Sequence, residues 1–303
     1  SHYVKANSPD GRRAIWLKHT LLCAGPNPED RILELWAMAF ALGEPPVVAK
    51  TEIPWADLQL GPGPTIACSM AHLEADRAWG QLSDIRWDLG IRPGLGVLRH
   101  LPWRWLYAPW IPTAKVLTPE TGLTLMGVLQ LGAVTWDLEN WVGLRGHNWG
   151  RDHAHRYGWL AVNHWEDGKR RSLEGFTACP RPGWPHFKRL VLHTGSKHGR
   201  LGLGGWTRSE DHPTRLVLPF SSLVATAEAK PEDFVALRYR SPTGGSSICR
   251  CTKFARVELR HRDDRYRSLA GELEFIDNTR VWKEATHPPK EWSAADGVYR
   301  SER

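Results

Sequence analysis

Residues 135–165 read TWDLENWVGLRGHNWGRDHAHRYGWLAVNHW, and how this stretch folds decides how the rest of the chain is read. It carries five of the 17 tryptophans and four of the 14 histidines, so rings able to wall a pocket and side chains able to do chemistry are crowded together. Both ends look like strands. Residues 136–142 alternate apolar and polar side chains imperfectly, and 157–165 is a β-favouring aromatic run closed by Asp167-Gly168, a hairpin signal. Between them, Gly146-His147-Asn148-Trp149-Gly150 is expected to form a glycine-framed turn that holds its side chains at the mouth or floor of a barrel.

Outward from this centre the β signature recurs on both sides. Tyr3-Val4-Lys5-Ala6-Asn7 leads through Ser8-Pro9-Asp10-Gly11, a strong turn, into a second strand at 13–22. Residues 31–42 have a helix-forming composition, yet Ile32, Glu34, Trp36, Met38 and Phe40 share one face at period two, which favours a strand. Short strands are expected at 47–54 and 65–75, with one more alternating segment at 78–89. Residues 90–120 are rich in proline, tryptophan and glycine; this excludes a long helix and suits a crossing loop laid over an apolar surface as a lid or plug.

A strand at 123–131 leads into the centre, and eight short strands are expected beyond it, at 172–179, 188–194, 200–207, 214–219, 222–228, 234–239, 246–254 and 256–261. Strands recurring at intervals of roughly 8 to 15 residues are the signature of an all-β sandwich or barrel. The sequence shows no exact internal repeat and no low-complexity segment.

With 303 residues, 41% hydrophobic and 24% charged, the chain is globular and large enough for one big or two ordinary domains. Seventeen tryptophans against seven phenylalanines and six tyrosines suit a roomy, aromatic-lined cavity. The net charge of +7 is spread along the chain, and acids interrupt the densest basic run, at 256–267. That pattern argues against a nucleic-acid face and leaves a solvated surface or peripheral contact with an anionic membrane. The five cysteines, Cys23, Cys68, Cys179, Cys249 and Cys251, lack framework spacing, and Cys249-Arg250-Cys251 lacks the second half of a zinc site. Reduced thiols and a cytoplasmic setting are expected. The sequence contains no signal peptide and no apolar run of about eighteen residues, so no membrane-spanning segment is expected. Its abrupt opening at Ser1-His2-Tyr3 suggests that residues before it have been trimmed.

At Gly146-His147-Asn148-Trp149-Gly150-Arg151, followed by the aromatic strand with Trp159, Asn163 and Trp165, the chain resembles a superfamily of lipocalin-like proteins. The superfamily includes AttH-like proteins, the carotenoid 1,2-hydratases (hydroxyneurosporene synthases) and, more distantly, the tocopherol cyclases. The opening strand-turn-strand, with Asp10-Gly11 and Trp16, is similar as well. The resemblance implies an all-β fold of two consecutive lipocalin-like antiparallel barrels or strongly curved sheets. Residues 1–150, with the crossing loop at 90–120, would form the first domain and 151–303 the second. It also implies an apolar terpenoid or polyketide ligand and hydration, cyclisation or cycloaddition of an alkene without a cofactor.

Hydrating or cyclising an isolated alkene needs a buried carboxylic acid, aromatic faces to steady a carbocation, and a dry cavity. Asp137, Glu139 and Asp152 are the carboxyls of the central stretch, with Asp84 and Asp88 as contributors from elsewhere. Asp152 is the preferred acid because it follows the turn, with His147 and Asn148 orienting it or a water. Trp136, Trp141, Trp149, Tyr157, Trp159, Asn163 and Trp165 are the candidate ligand contacts. The same histidine and asparagine also fit a blander role satisfying backbone groups, the tryptophans a core role, and the whole chain a non-catalytic carrier of a hydrophobic molecule. The spacing of His147, His153 and His155 admits a metal reading, but imidazoles in a loop need not converge, and no metal is assigned.

Overall fold

The computed structural model describes residues 1–23, 25, 27, 30–62, 65–108, 114–151, 153–195, 199–207, 212, 214–241, 246–277 and 298–300. Two curled antiparallel sheets account for nearly all of it. Among the described residues there is no α-helix, only single turns of 3-10 helix at Trp55–Asp57, Arg104–Tyr107 and Pro231–Asp233. No helix there is long and apolar enough to cross a membrane.

The first sheet opens with a four-strand meander: β1 (His2–Asn7), β2 (Arg13–Cys23), β3 (Arg31–Ala41) and β4 (Val47–Pro54). The short strands β5 (Gln59–Leu60), β6 (Ile66–Ala67) and β7 (Ala71–Leu73) follow, then β8 (Arg77–Leu82), β9 (Ile85–Arg92) and β10 (Gly96–Arg99). A long hairpin closes it, β11 (Ala114–Leu131) and β12 (Val134–Gly150), with β12 lying beside β1.

The second sheet repeats this plan. A meander of β13 (Arg156–Trp165), β14 (Ser172–Cys179), β15 (His186–His193) and β16 (Arg200–Thr207) comes first, then β17 (Arg215–Pro219), β18 (Leu223–Glu228) and β19 (Val235–Arg240). The long hairpin β20 (Ser246–His261) and β21 (Asp264–Asp277) returns to lie beside β13, and β22 (Val298–Arg300) pairs with β19.

β3 shows why a helix-like composition forms a strand. Leu33, Leu35, Ala37 and Ala39 enter the core of the first sheet, while Trp36, Met38 and Phe40 enter a second core shared with the other sheet. A strand buried on both faces reads as a continuous apolar run. Three cores result: one inside each curled sheet and one in the seam between them.

Several local expectations are corrected. Gly146–Gly150 is no turn but the end of β12. The segment 78–89 is a hairpin, its tip carried by Ser83 in the left-handed region at φ 51°. The strand expected at 65–75 is two short strands, and the break expected between 254 and 256 is a register shift inside a continuous β20. A bulge bends a strand without ending it, so local sequence reads it as a gap. The crossing loop is shorter than 90–120, since β10 and β11 take both its ends; Trp103 and Trp105 stack on each other at 5.8 Å and are exposed.

Candidate active site in the seam between the sheets

The central stretch is divided among all three cores. Trp136 and Trp141 pack inside the first sheet, Tyr157 and Trp159 in the seam, and Trp165 inside the second sheet, where its indole N–H donates to the Arg171 carbonyl at 3.0 Å. A bulge with Asn140 at φ 57° reverses the strand's parity, so that Trp136 and Trp141, five residues apart, reach the same core. Asn163 stitches the sheets together: its Oδ1 accepts from Thr121 Oγ1 (3.0 Å), the Gly122 amide (3.1 Å) and Ser172 Oγ (2.5 Å). That oxygen has little capacity left for a ligand.

Along the end of β12, alternation separates the other candidates. Leu144 and Gly146 face the seam, the latter under the Tyr3 ring, and Asn148 falls on the same face with its Oδ1 buried and unpaired. His147 and Trp149 point the other way: His147 is stacked between His2 (4.0 Å) and Trp149 (4.5 Å), and Trp149 meets Tyr107 at 5.8 Å. Burial lowers the His147 pKa to about 4, so the ring is neutral at physiological pH. Asp152 lies outside the described residues. His153 stacks on Tyr239 at 5.5 Å, and among the described residues no three His, Cys, Asp or Glu side chains form a group that could hold a metal ion. None of the five cysteines is in a disulfide.

The densest buried chemistry lies elsewhere in the seam. Glu174 on β14 and His100, just after β10, are both wholly buried, with His100 Nε2 at 3.1 Å from Glu174 Oε2. Thr118 on β11 donates to the same oxygen at 2.8 Å. Two polar atoms of this group, Glu174 Oε1 and His100 Nδ1, are buried without a hydrogen-bond partner. Phe176, two residues along from Glu174 and so on the same strand face, lies against the imidazole with ring centroids 6.2 Å apart.

Beside this pair lies a buried ionic cluster. The Lys5 ammonium is 2.5 Å from Glu272 and 3.3 Å from Glu274, while Lys253 is 2.7 Å and 3.4 Å from the same two carboxylates. Burial works against the charge on Lys5, but Glu272 and Glu274 outweigh it and leave its pKa raised. Burial likewise works against the Glu274 carboxylate, and Lys5, Lys253 and Lys18 together hold its pKa down. Rings frame the charges: Lys5 sits 3.9 Å from the centre of Trp159 and Lys253 4.0 Å from that of Trp16. Two lysines and two glutamates in mutual contact form one compact ionic cluster.

Sequence reasoning had not singled out Glu174, His100 or this cluster. The usable signal was charge placed inside apolar strands: Lys5 in HYVKAN, Lys18 in AIWLKHT, and Glu272 with Glu274 two apart in AGELEFID.

An all-β chain of two lipocalin-like half-barrels, with His100 and Glu174 buried together where they meet, is the class defined by this geometry. Over 92% of its length the chain is similar to a Nitrosomonas europaea protein provisionally described as an AttH, covering 92% of that chain at TM-score 0.59 and 13% identity. It is also similar over 92% of its length to kievitone hydratase from Nectria haematococca, covering 88% of that chain at TM-score 0.58 and 9% identity. At these identities the likeness is one of fold. By sequence, no family model matches the chain, nor does any curated protein.

Proposed function

We propose that this protein is a hydratase-type enzyme that adds water across an alkene of an apolar terpenoid or polyketide ligand, using its own side chains. The observation that carries the reading is the buried His100–Glu174–Thr118 group, with one carboxyl oxygen and one ring nitrogen unpaired. Buried polar atoms without partners are uncommon, and at a site they mark where a substrate or water fits. The similar fold of kievitone hydratase supports the reaction class.

The remaining buried chemistry assigns the roles. Glu272 and Glu274 are each taken up in ion pairs with Lys5 and Lys253 and leave the acid role to Glu174. Among the described residues Glu174 is in no salt bridge with a lysine, and a proton on its Oε1 would find no acceptor there, which is what transfer to carbon requires. The proton adds to the less substituted alkene carbon. The cation formed at the other carbon faces the Phe176 and Tyr3 rings and the carboxylate left behind. Water then attacks the cation and loses a proton to His100 or Glu174, so alkene and water become an alcohol and the pair is restored. Domain organisation fits the proposal: if each sheet is one domain, dividing near residue 150, the site is completed only when both fold.

The test is to incubate the protein with prenylated phenols and open-chain terpenoids in ¹⁸O-labelled water and look for a product heavier by one labelled water. Wild type is expected to give it, Glu174→Gln and His100→Asn to give at least about a hundredfold less, and both variants to retain ligand-dependent tryptophan quenching. Binding without any product in wild type would make the protein a carrier and overturn the proposal.

A further inference from the structure

Lys18, on β2, is the exception among the buried cations of the seam. Lys5 and Lys253 share Glu272 and Glu274, and Lys50 is bonded to Glu34 at 2.7 Å, but among the described residues no carboxylate pairs with Lys18. Its ammonium lies 3.6 Å from the centre of the Tyr239 ring and 5.4 Å from that of Trp16, and the residue is 6% exposed. Of the carboxylates that act on it, Glu274 is paired with Lys5 and Lys253 and Glu34 with Lys50, while Cys249 and Cys251 are thiols. Burial, the largest influence, lowers the Lys18 pKa to about 8, which still leaves it charged at neutral pH.

Around this cation are donors with nothing to donate to. The Tyr239 hydroxyl and the indole N–H groups of Trp16 and Trp36 are buried and unpaired, and Trp36 packs edge-on against Tyr239 at 6.2 Å. An ammonium, a phenol and two indoles are all hydrogen-bond donors, and an indole N–H cannot accept. A group in which the donors outnumber the one acceptor, the phenol oxygen, is complementary to further acceptors carried in by a ligand. A single phenolate oxygen offers fewer lone pairs than these donors can use, whereas a carboxylate presents two oxygens with about four acceptor sites.

We propose that Lys18, with Tyr239, Trp16 and Trp36, forms a carboxylate-binding subsite, so that the ligand of the seam is an apolar molecule bearing one carboxylate. This rests on the reading of the seam as a ligand site and goes further, naming the ligand's charged end. The aromatic walls accept the body of the ligand, and Lys18 supplies the charge that the ionic cluster lacks. Lys18 is a specificity-determining residue here and takes no part in the proton transfer.

Binding of isosteric probes tests this without any need for turnover. The full chain is titrated at pH 7 with 2-naphthoate and, separately, with neutral 2-naphthamide, followed by tryptophan quenching and calorimetry. Wild type is expected to prefer the carboxylate by about tenfold or more, as one charge-assisted hydrogen bond in a desolvated site provides. Lys18→Met should bring the preference to within about twofold with the amide's affinity unchanged, Lys18→Arg should restore much of it, and Glu174→Gln should bind like wild type. No preference in wild type, a preference that survives Lys18→Met, or no binding of either probe would each overturn the inference. A wild type that shows the preference but yields no hydrated product would sink the hydratase reading and leave the subsite standing.

Discussion

Replacing Lys18 by Met is expected to stabilise the protein, and to do so only below alkaline pH. The folded-state pKa of about 8, against 10.5 for a free lysine, means that burying the charged amine costs about 3 kcal/mol at pH 7. Opposing this is the contact with the Tyr239 ring at 3.6 Å, worth about 2 kcal/mol in a desolvated setting, part of which a Met sulfur recovers against the same ring. The burial cost is the larger, and Met removes it with little change of shape, so a net gain of about 1–3 kcal/mol is expected at pH 7. The sign with pH is fixed. A lysine with a depressed folded pKa binds more protons when unfolded, so wild-type stability rises as pH climbs from about 8 to 10.5 and the penalty disappears. By pH 10 less than about 1 kcal/mol of it remains. Urea unfolding of both proteins at pH 7 and pH 10, compared pairwise, measures the difference. A variant less stable than wild type at pH 7, or a gain of equal size at both pH values, would refute the argument that Lys18 is an uncompensated buried charge. Its retention despite that cost is what a binding role predicts.

Other substitutions probe the seam in the opposite direction. Lys5→Met strands two buried carboxylates on the single remaining partner Lys253 and should cost about 3–5 kcal/mol at neutral pH. Because the Glu274 pKa is held below 4.5, that stabilisation is present above this value and lost as pH falls through the folded pKa, so urea unfolding of variant and wild type should converge in acid. A gap that stays constant with pH would mean Lys5 acts by packing alone. Gly146→Ala places a Cβ inside the Tyr3 ring and should cost about 1–3 kcal/mol by overpacking, read as a lowered thermal midpoint. An unchanged midpoint would mean that the ring is free to move aside.

The fold was legible because the strands obey period two and the turns carry their usual residues. Ser8-Pro9-Asp10-Gly11 turns with Gly11 at φ 69°, and Asp167-Gly168 with Gly168 at φ 67°. The duplication of plan was legible only through the family resemblance, not in the strand pattern itself. It resides in pairing, β1 beside β12 and β13 beside β21, and pairing between strands more than a hundred residues apart leaves no periodic trace in either one. Gly146 misled for a related reason. A glycine between polar residues suggests a turn, but this one is extended and glycine is needed for the approach of the Tyr3 ring from a neighbouring strand.

The proposed site was harder still, because its members are contributed one or two at a time by strands across the whole chain. Glu174 in SLEGFTAC and His100 ahead of a proline carry no spacing that links them, and only the seam brings them within 3.1 Å. The dense aromatic sequence does not mark the site proposed here. Trp136 and Trp141, Trp159 and Trp165 are dispersed over three cores, since consecutive faces of a strand in a two-sheet protein look into different interiors, while Trp149 joins none of them. The better indicator is a charged residue where alternation demands an apolar one. Lys5, Lys18, Glu272 and Glu274 each break an apolar run, and a buried charge survives only with a partner in the protein or in its ligand. Lys5, Glu272 and Glu274 find partners across the seam. Among the described residues Lys18 finds no carboxylate, and the ligand carboxylate proposed for the seam would be its partner.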